Sequence, residues 1–166
     1  MDVVTAFLNP KIDRDNIYME MPLGIDWLRL SGSVSSRITS TGSESTGSMS
    51  SGSVLILRKA LYGLKLAPRL WYENIDGYLQ SIGFRQSAED PNLYLQPGVL
   101  LVLYVDDLLI AHNSTEGQGH QVKQLLQKKY KMCDLGAAKR FLEIEIERTE
   151  DSGFSICQRD YINTII

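Results

Sequence analysis

Cysteine is scarce. Cys133 and Cys157 are the two in 166 residues, far apart and in no metal-ligand spacing. That excludes a disulfide-stapled scaffold and a structural zinc centre, and fits free thiols of an intracellular chain. Positive charge is also short: 17 Lys and Arg stand against 20 Asp and Glu, a net charge of −3. Holding nucleic acid by bulk positive charge is therefore excluded, and any phosphate binding must come from local basic patches. No stretch of about 18 apolar residues is present to span a bilayer, and no N-terminal apolar run reads as a signal peptide. The expectation is a soluble, intracellular chain with no membrane partner.

What is present fits one ordinary domain. The 43% hydrophobic and 22% charged content are globular values. The basic patches exist: residues 54–72 carry Arg58, Lys59, Lys65 and Arg69 with no acid, and residues 120–140 carry six cations against Asp134 alone. Acids gather instead near the N-terminus. Met1-Asp2-Val3-Val4 opens directly on strand-like residues, which reads as a domain entered partway through.

Residues 2–8 read as a short buried strand or the end of one, and Asn9-Pro10 as its break. Ile17 to Met21 alternates and reads as a second strand, stopped by Pro22. In residues 31–53, eighteen of 23 positions are Ser, Gly or Thr. Such a segment buries too little apolar surface to offset its chain entropy, so a flexible insertion is expected. Val54 to Leu57 reads as a strand. Pro68 suits a first helical turn, Trp71, Ile75, Tyr78, Leu79 and Ile82 recur at helical spacing, and Gly83 suits the cap. Asn92–Leu95 and Val99–Val105 then form a hairpin about a Gln-Pro-Gly turn. Leu108 to Ala111 resumes the apolar run after Asp106-Asp107. Val122, Leu125, Leu126 and Tyr130 mark a second helix, and Phe141 to Ile146 alternates as a further strand. The order predicts an α+β domain with helices on one face of an antiparallel sheet.

Three segments carry chemistry. The first is Tyr104-Val105-Asp106-Asp107, set between Leu-rich runs. Adjacent carboxylates in apolar surroundings repel each other unless something pairs with them. Divalent metal would relieve the repulsion, since Mg²⁺ prefers hard oxygens and uses one or two carboxylates with substrate phosphates. An exposed Asp-Asp turn is the alternative. The second is Asp2, at the edge of a strand, either a third carboxylate of the same site or a solvent-facing strand end. The third is Leu61-Tyr62-Gly63-Leu64-Lys65-Leu66-Ala67-Pro68-Arg69-Leu70-Trp71-Tyr72. Its cations beside a helix start suit phosphate. A plain loop-to-helix junction with Trp71 and Tyr72 in the core is the alternative.

Together these segments resemble the reverse transcriptases of copia-type retrotransposons. DVVTAFLN is similar to the first catalytic motif, KALYGLKLAPRLWY to the family's most distinctive stretch, and YVDD to the metal-binding hairpin of reverse transcriptases. DLGAAKRFLEIEI and ICQRDYINTII resemble the segments that follow. The resemblance implies a partial polymerase palm. Residues 1–30 would hold its N-terminal part with the first catalytic motif, 31–53 the Ser/Gly/Thr-rich insertion, and 54–166 the remainder with the YVDD hairpin. It implies two Mg²⁺ ions, with Mn²⁺ possible, on Asp2 and Asp106 with Asp107 in support, and a Val3 backbone atom facing a metal. It places Phe7 beneath the nucleotide sugar, with Ala6, Tyr104, Val105 and Lys65 also near the incoming nucleotide. Arg69 and Lys59 are placed at nucleic acid, and the FLEIEI strand where related enzymes grip the primer.

The partners it implies are an RNA or DNA template with primer, deoxynucleoside triphosphates, and missing fingers, thumb and ribonuclease H parts of a polyprotein. A cytoplasmic particle or the nucleus would be its place. Two positions depart from the family pattern. Leu66 stands where YGLKQAPR has Gln, and Leu cannot hydrogen-bond a nucleotide. Glu143 stands where FLGIEI has Gly, and adds negative charge near any DNA backbone. Leu66 and the missing fingers favour a second reading, an inert nucleic-acid-binding remnant of a decayed element, and the truncation predicts little or no polymerase activity for this chain alone.

Overall fold

The computed structural model describes residues 1–12, 17–20, 54–113, 117–151 and 153–166. The 31–53 insertion and the stop at Pro22 lie outside the described residues. The rest divides into two units. The first joins Met1–Ala6 to Trp71–Ile166, and the second is Phe7–Leu70.

The first unit is built on an antiparallel six-stranded sheet. Its strands are β1 (Asp2–Val3), β4 (Arg85–Gln86), β5 (Leu93–Gln96), β6 (Val99–Tyr104), β7 (Asp107–His112) and β8 (Met132–Cys133), in the order β4-β5-β6-β7-β1-β8. Strand β6 explains why the sheet forms here. Val99, Leu101 and Leu103 are almost fully buried while Leu100 and Tyr104 are about half exposed, the period-two pattern of a sheet with one covered face. Pro97 and Gly98 close β5 onto β6, with Gly98 at φ 72. Pro sets φ for the first turn position and Gly accepts positive φ at the second.

The first helix, α1 (Ala67–Ser81), buries Trp71, Ile75 and Leu79. Its end follows from Gly83 at φ 96. The Phe84 N–H bonds the Leu79 carbonyl at 3.0 Å and the Gly83 N–H bonds that of Gln80 at 3.0 Å, a Schellman cap with Phe84 and Leu79 as its apolar clasp. The second helix, α2 (Gln118–Lys129), buries Gly119, Val122 and Leu126. Leu125, expected on the buried face, is 40% exposed. Tyr130, just past the helix end, is buried and takes the packing role instead. Its ring meets Trp71 edge-on at 5.2 Å and Tyr78 at 5.5 Å, and its hydroxyl donates to Asn74 Oδ1 at 2.9 Å. One aromatic thus ties three successive turns of α1 to the end of α2.

Residues 140–166 form a separate three-stranded sheet with a short helix: β9 (Arg140–Phe141), β10 (Ile144–Arg148), β11 (Phe154–Cys157) and α3 (Arg159–Ile165). The expected single strand from Phe141 to Ile146 is instead a tight hairpin, because Leu142 and Glu143 both take positive φ, at 50 and 62. The strand expected over residues 2–8 likewise ends at Val3. Thr5 sits at φ 58 and Ala6–Leu8 is a 3-10 turn; a left-handed residue cannot continue a strand.

In the second unit, β2 (Tyr18–Glu20) pairs antiparallel with β3 (Val54–Ile56), and Lys11 bridges to Lys59. Among the described residues the architecture is α+β, with three helices and antiparallel sheets.

Candidate active site

The acids meet because apolar neighbours force their strands together. Val3 and Leu108 are 2% and 3% exposed and anchor β1 and β7 in the core. The Val3 N–H bonds the Asp106 carbonyl at 2.9 Å, and the Leu108 N–H bonds that of Met1 at 2.8 Å. In this register Asp2 lies directly opposite Asp107. Side chains alternate along a strand, so burying Val3 and Leu108 turns Asp2 and Asp107 to the other face, and cross-strand partners share a face.

The Asp106-Asp107 pair is split between turn and strand. Tyr104 pairs with Asp107, so the hairpin turn is Val105-Asp106 and Asp107 is the first residue of β7. Val105, 42% exposed, holds φ 53, and Asp106 is not among the positive-φ residues. One left-handed residue at the first turn position is the pattern of a type II′ hairpin, which Gly normally occupies. A β-branched residue there is strained.

Charge is concentrated at this spot. Partial burial raises the Asp107 carboxyl above its ordinary value, and the negative charges of Asp106 and Asp2 push it further up. Among the described residues no three His, Cys, Asp or Glu side chains are gathered closely enough to hold a metal ion as they stand. The donor set nevertheless fits Mg²⁺. The ion takes one or two carboxylates and completes its shell with water and substrate phosphates, so no closed three-residue cage is needed. Mutually repelling carboxylates are the groups a divalent cation relieves. Any ligand from Val3 would be its carbonyl oxygen, since its side chain is in the core and its N–H is bonded to Asp106.

Tyr104 is 52% exposed beside the acids, while Ala6 is fully enclosed. Phe7, Lys59, Lys65 and Arg69 belong to the second unit. There the Phe7 ring packs on Tyr62 at 4.6 Å, and Gly63 at φ 92 turns the chain toward Lys65. Lys59, Lys65 and Arg69 are all exposed.

One contact of the turn was absent from the sequence reading. The Trp71 indole N–H donates to the Val105 carbonyl at 2.6 Å. The available signal was chemical: a buried indole needs an acceptor, and helical spacing reports only its apolar side.

The profile of the family described as reverse transcriptase (RNA-dependent DNA polymerase) matches residues 38–166. The chain belongs to this family. A transposon Ty5-1 protein of Saccharomyces cerevisiae is 35% identical over 98% of the chain. The retrovirus-related Pol polyproteins from transposon TNT 1-94 of Nicotiana tabacum and transposon RE1 of Arabidopsis thaliana are 32% and 36% identical, over 100% and 98% of it. These relatives set this reverse transcriptase among the copia-type retrotransposons. The match to the Nicotiana tabacum polyprotein covers the whole chain and so includes its first residues, where the family profile does not reach. The chain covers 47% of the yeast relative and 11% and 10% of the two plant polyproteins. No solved structure matches it. Reverse transcriptases generally use divalent metal ions, consistent with the acid-rich hairpin. Among the described residues no helix is long and apolar enough to cross a membrane.

Proposed function

We propose that this reverse transcriptase chain forms the palm of an RNA-directed DNA polymerase, in which Asp2, Asp106 and Asp107 hold two Mg²⁺ ions that Mn²⁺ can replace. Residues 1–30 and 54–166 would be the two parts of that palm. The observation that carries the reading is the pairing of β1 with β7. It sets Asp2 opposite Asp107 and bonds Val3 to Asp106 at 2.9 Å, so carboxylates from two distant stretches of sequence converge.

The reaction is template-directed nucleotidyl transfer. The primer 3′-hydroxyl attacks the α-phosphate of a deoxynucleoside triphosphate, a phosphodiester bond forms, and pyrophosphate leaves. Ions bound at the acids would stabilise charge on the attacking and leaving oxygens. The chain's own residues position the reactants. Asp2 and Asp107 present oxygens on one face, Asp106 does so from the turn, and the exposed Tyr104 and Val105 flank them where the primer end and nucleotide meet. The family resemblance would give Phe7, with Ala6, the role of excluding a 2′-hydroxyl, Lys65 a contact to the nucleotide, and Arg69 and Lys59 contacts to the nucleic acid. The template, primer, fingers, thumb and ribonuclease H would be supplied as in a transposon polyprotein.

Titration of the full chain with Mn²⁺ tests the reading. Binding is expected in the parent and lost in Asp2→Asn with Asp106→Asn. Equal binding by both chains would remove the basis of the assignment. In a longer polyprotein, primer extension should vanish with Asp106→Asn. A second reading, an inert nucleic-acid-binding remnant, is favoured by Leu66 in place of the family's Gln. It needs only affinity that falls with salt and is indifferent to the acids.

A further inference from the structure

We propose that Trp71 is a positioning residue for this site: its indole N–H fixes the plane of the peptide that carries Asp106. This inference rests on the metal-site reading. The Val105 carbonyl belongs to the central peptide of the two-residue turn, the unit whose flip interconverts turn types. A flip of that peptide would rotate ψ of Val105 and φ of Asp106, and so reorient the residue that bears the carboxylate. Trp71 opposes it with a 2.6 Å hydrogen bond to this carbonyl. The next peptide, Asp106–Asp107, is held from the other side by the Val3 N–H at 2.9 Å. Both peptides flanking Asp106 are therefore pinned from outside the hairpin, and only the carboxylate side chain remains to adjust.

The donor is itself packed in place. Trp71 is 2% exposed, and its ring sits edge-on against Tyr130 at 5.2 Å. Tyr130 is bonded back to Asn74 on the same helix at 2.9 Å. Phe or Tyr could fill much of the volume but could not donate from that point of the ring. The hydrogen bond thus couples the helix of the LYGLKLAPRLWY stretch to the acid-bearing turn.

Trp71→Phe, which keeps the ring and deletes the donor, tests this in the full chain. Mn²⁺ affinity, read by water-proton relaxation, should fall about three- to tenfold, the loss expected from one hydrogen bond. A merely structural role would lower the melting temperature and leave the Mn²⁺ affinity of the folded chain unchanged, and that result overturns the inference alone. A parent chain that binds Mn²⁺ no better than Asp2→Asn with Asp106→Asn overturns the metal-site reading and this inference with it. Should Trp71→Phe fail to fold, the ¹⁵N-labelled indole of the parent gives the answer. Its Trp71 resonance should shift on adding Mg²⁺ and stay fixed in Asp106→Asn, and no shift in the parent overturns the proposal.

Discussion

Glu143→Gly should stabilise the terminal hairpin, although it deletes a charged side chain and an ion pair. Phe141 pairs with Ile144, so Leu142 and Glu143 are the two turn residues, at φ 50 and 62. Positive φ at both positions is the type I′ pattern, which strongly favours Asn-Gly. The left-handed conformation costs an L-residue about 1–2 kcal/mol, and Gly escapes it. Against that, Gly costs about 0.5–1 kcal/mol in backbone entropy. The Arg140–Glu143 pair at 3.7 Å is 47% and 73% exposed, so its loss costs about 0.3 kcal/mol or less. The balance is a gain of about 0.5 kcal/mol, and adding Leu142→Asn should roughly double it. Global melting reads such a change poorly. Among the described residues of the terminal sheet and α3 none is fully buried, so this region should open locally before the main sheet does. Amide hydrogen exchange at Ile146, bonded to the Lys139 carbonyl at 2.8 Å, is the sharper assay. Protection should rise about twofold for Glu143→Gly and further for the pair. Unchanged or lower protection in both variants would refute the strain argument. It would mean that the side chains of Leu142 and Glu143 hold the turn in place.

Asp107→Asn should raise the metal-free melting temperature at neutral pH, because an ionised Asp107 is opposed by burial and by Asp106 and Asp2. The same variant should weaken Mn²⁺-dependent stabilisation, and thermal melts with and without the ion check both halves. Asp134 behaves oppositely. The Gly136 N–H and the Lys123 ammonium hold its carboxyl below the ordinary value. A depressed carboxyl contributes stability that is full above its unfolded pKa of about 4 and is lost as pH falls through the lower folded value. Asp134→Ala should therefore cost about 0.5 kcal/mol near pH 7, discounted for exposure, and almost nothing near pH 2, as urea midpoints at the two pH values would report. Leu101→Ala, at a position with 0% exposure, should cost about 2–5 kcal/mol through lost burial and a cavity, seen as a lower denaturant midpoint at unchanged slope.

The legible parts of the fold are those where side-chain periodicity and backbone conformation agree. The apolar run from Val99 to Val105 after the Gln-Pro-Gly turn marked β6. The 3.6-residue spacing from Trp71 to Leu79, with Gly83 after it, gave α1 and its end. What periodicity misses is a non-glycine residue at positive φ. Leu142 and Glu143 continue the apolar-polar alternation of their strand while the backbone reverses under them. The family pattern's Gly at 143 was the one hint of a turn, and it was read as a matter of charge. Thr5 cuts short the first strand in the same silent way. Hydropathy also records Trp71 as apolar bulk and is blind to its single polar atom, the one that reaches the turn. The register of Asp2 against Asp107 was not legible, since no local pattern predicts the pairing of strands a hundred residues apart, and the resemblance implied only that Asp2 and Asp106, with Asp107 in support, belong to one site.

That pairing sets stability against chemistry. Burying Val3 on β1 and Leu108 on β7 leaves Asp2 and Asp107 no choice but the opposite face, in register. Core packing thus drives like charges together, and the sheet bears their repulsion whenever no cation is near. Moving the acids apart by one residue of register would turn Val3 or Leu108 out of the core. At about 25 cal/mol per Å² of apolar surface, burying a Val or Leu side chain is worth about 1.5–3 kcal/mol. The same register also makes the Val3–Asp106 and Leu108–Met1 backbone hydrogen bonds at 2.9 and 2.8 Å, so packing and strand pairing together hold the acids in place against their repulsion. Cation binding then relieves a repulsion already built into the fold and does not have to create the site.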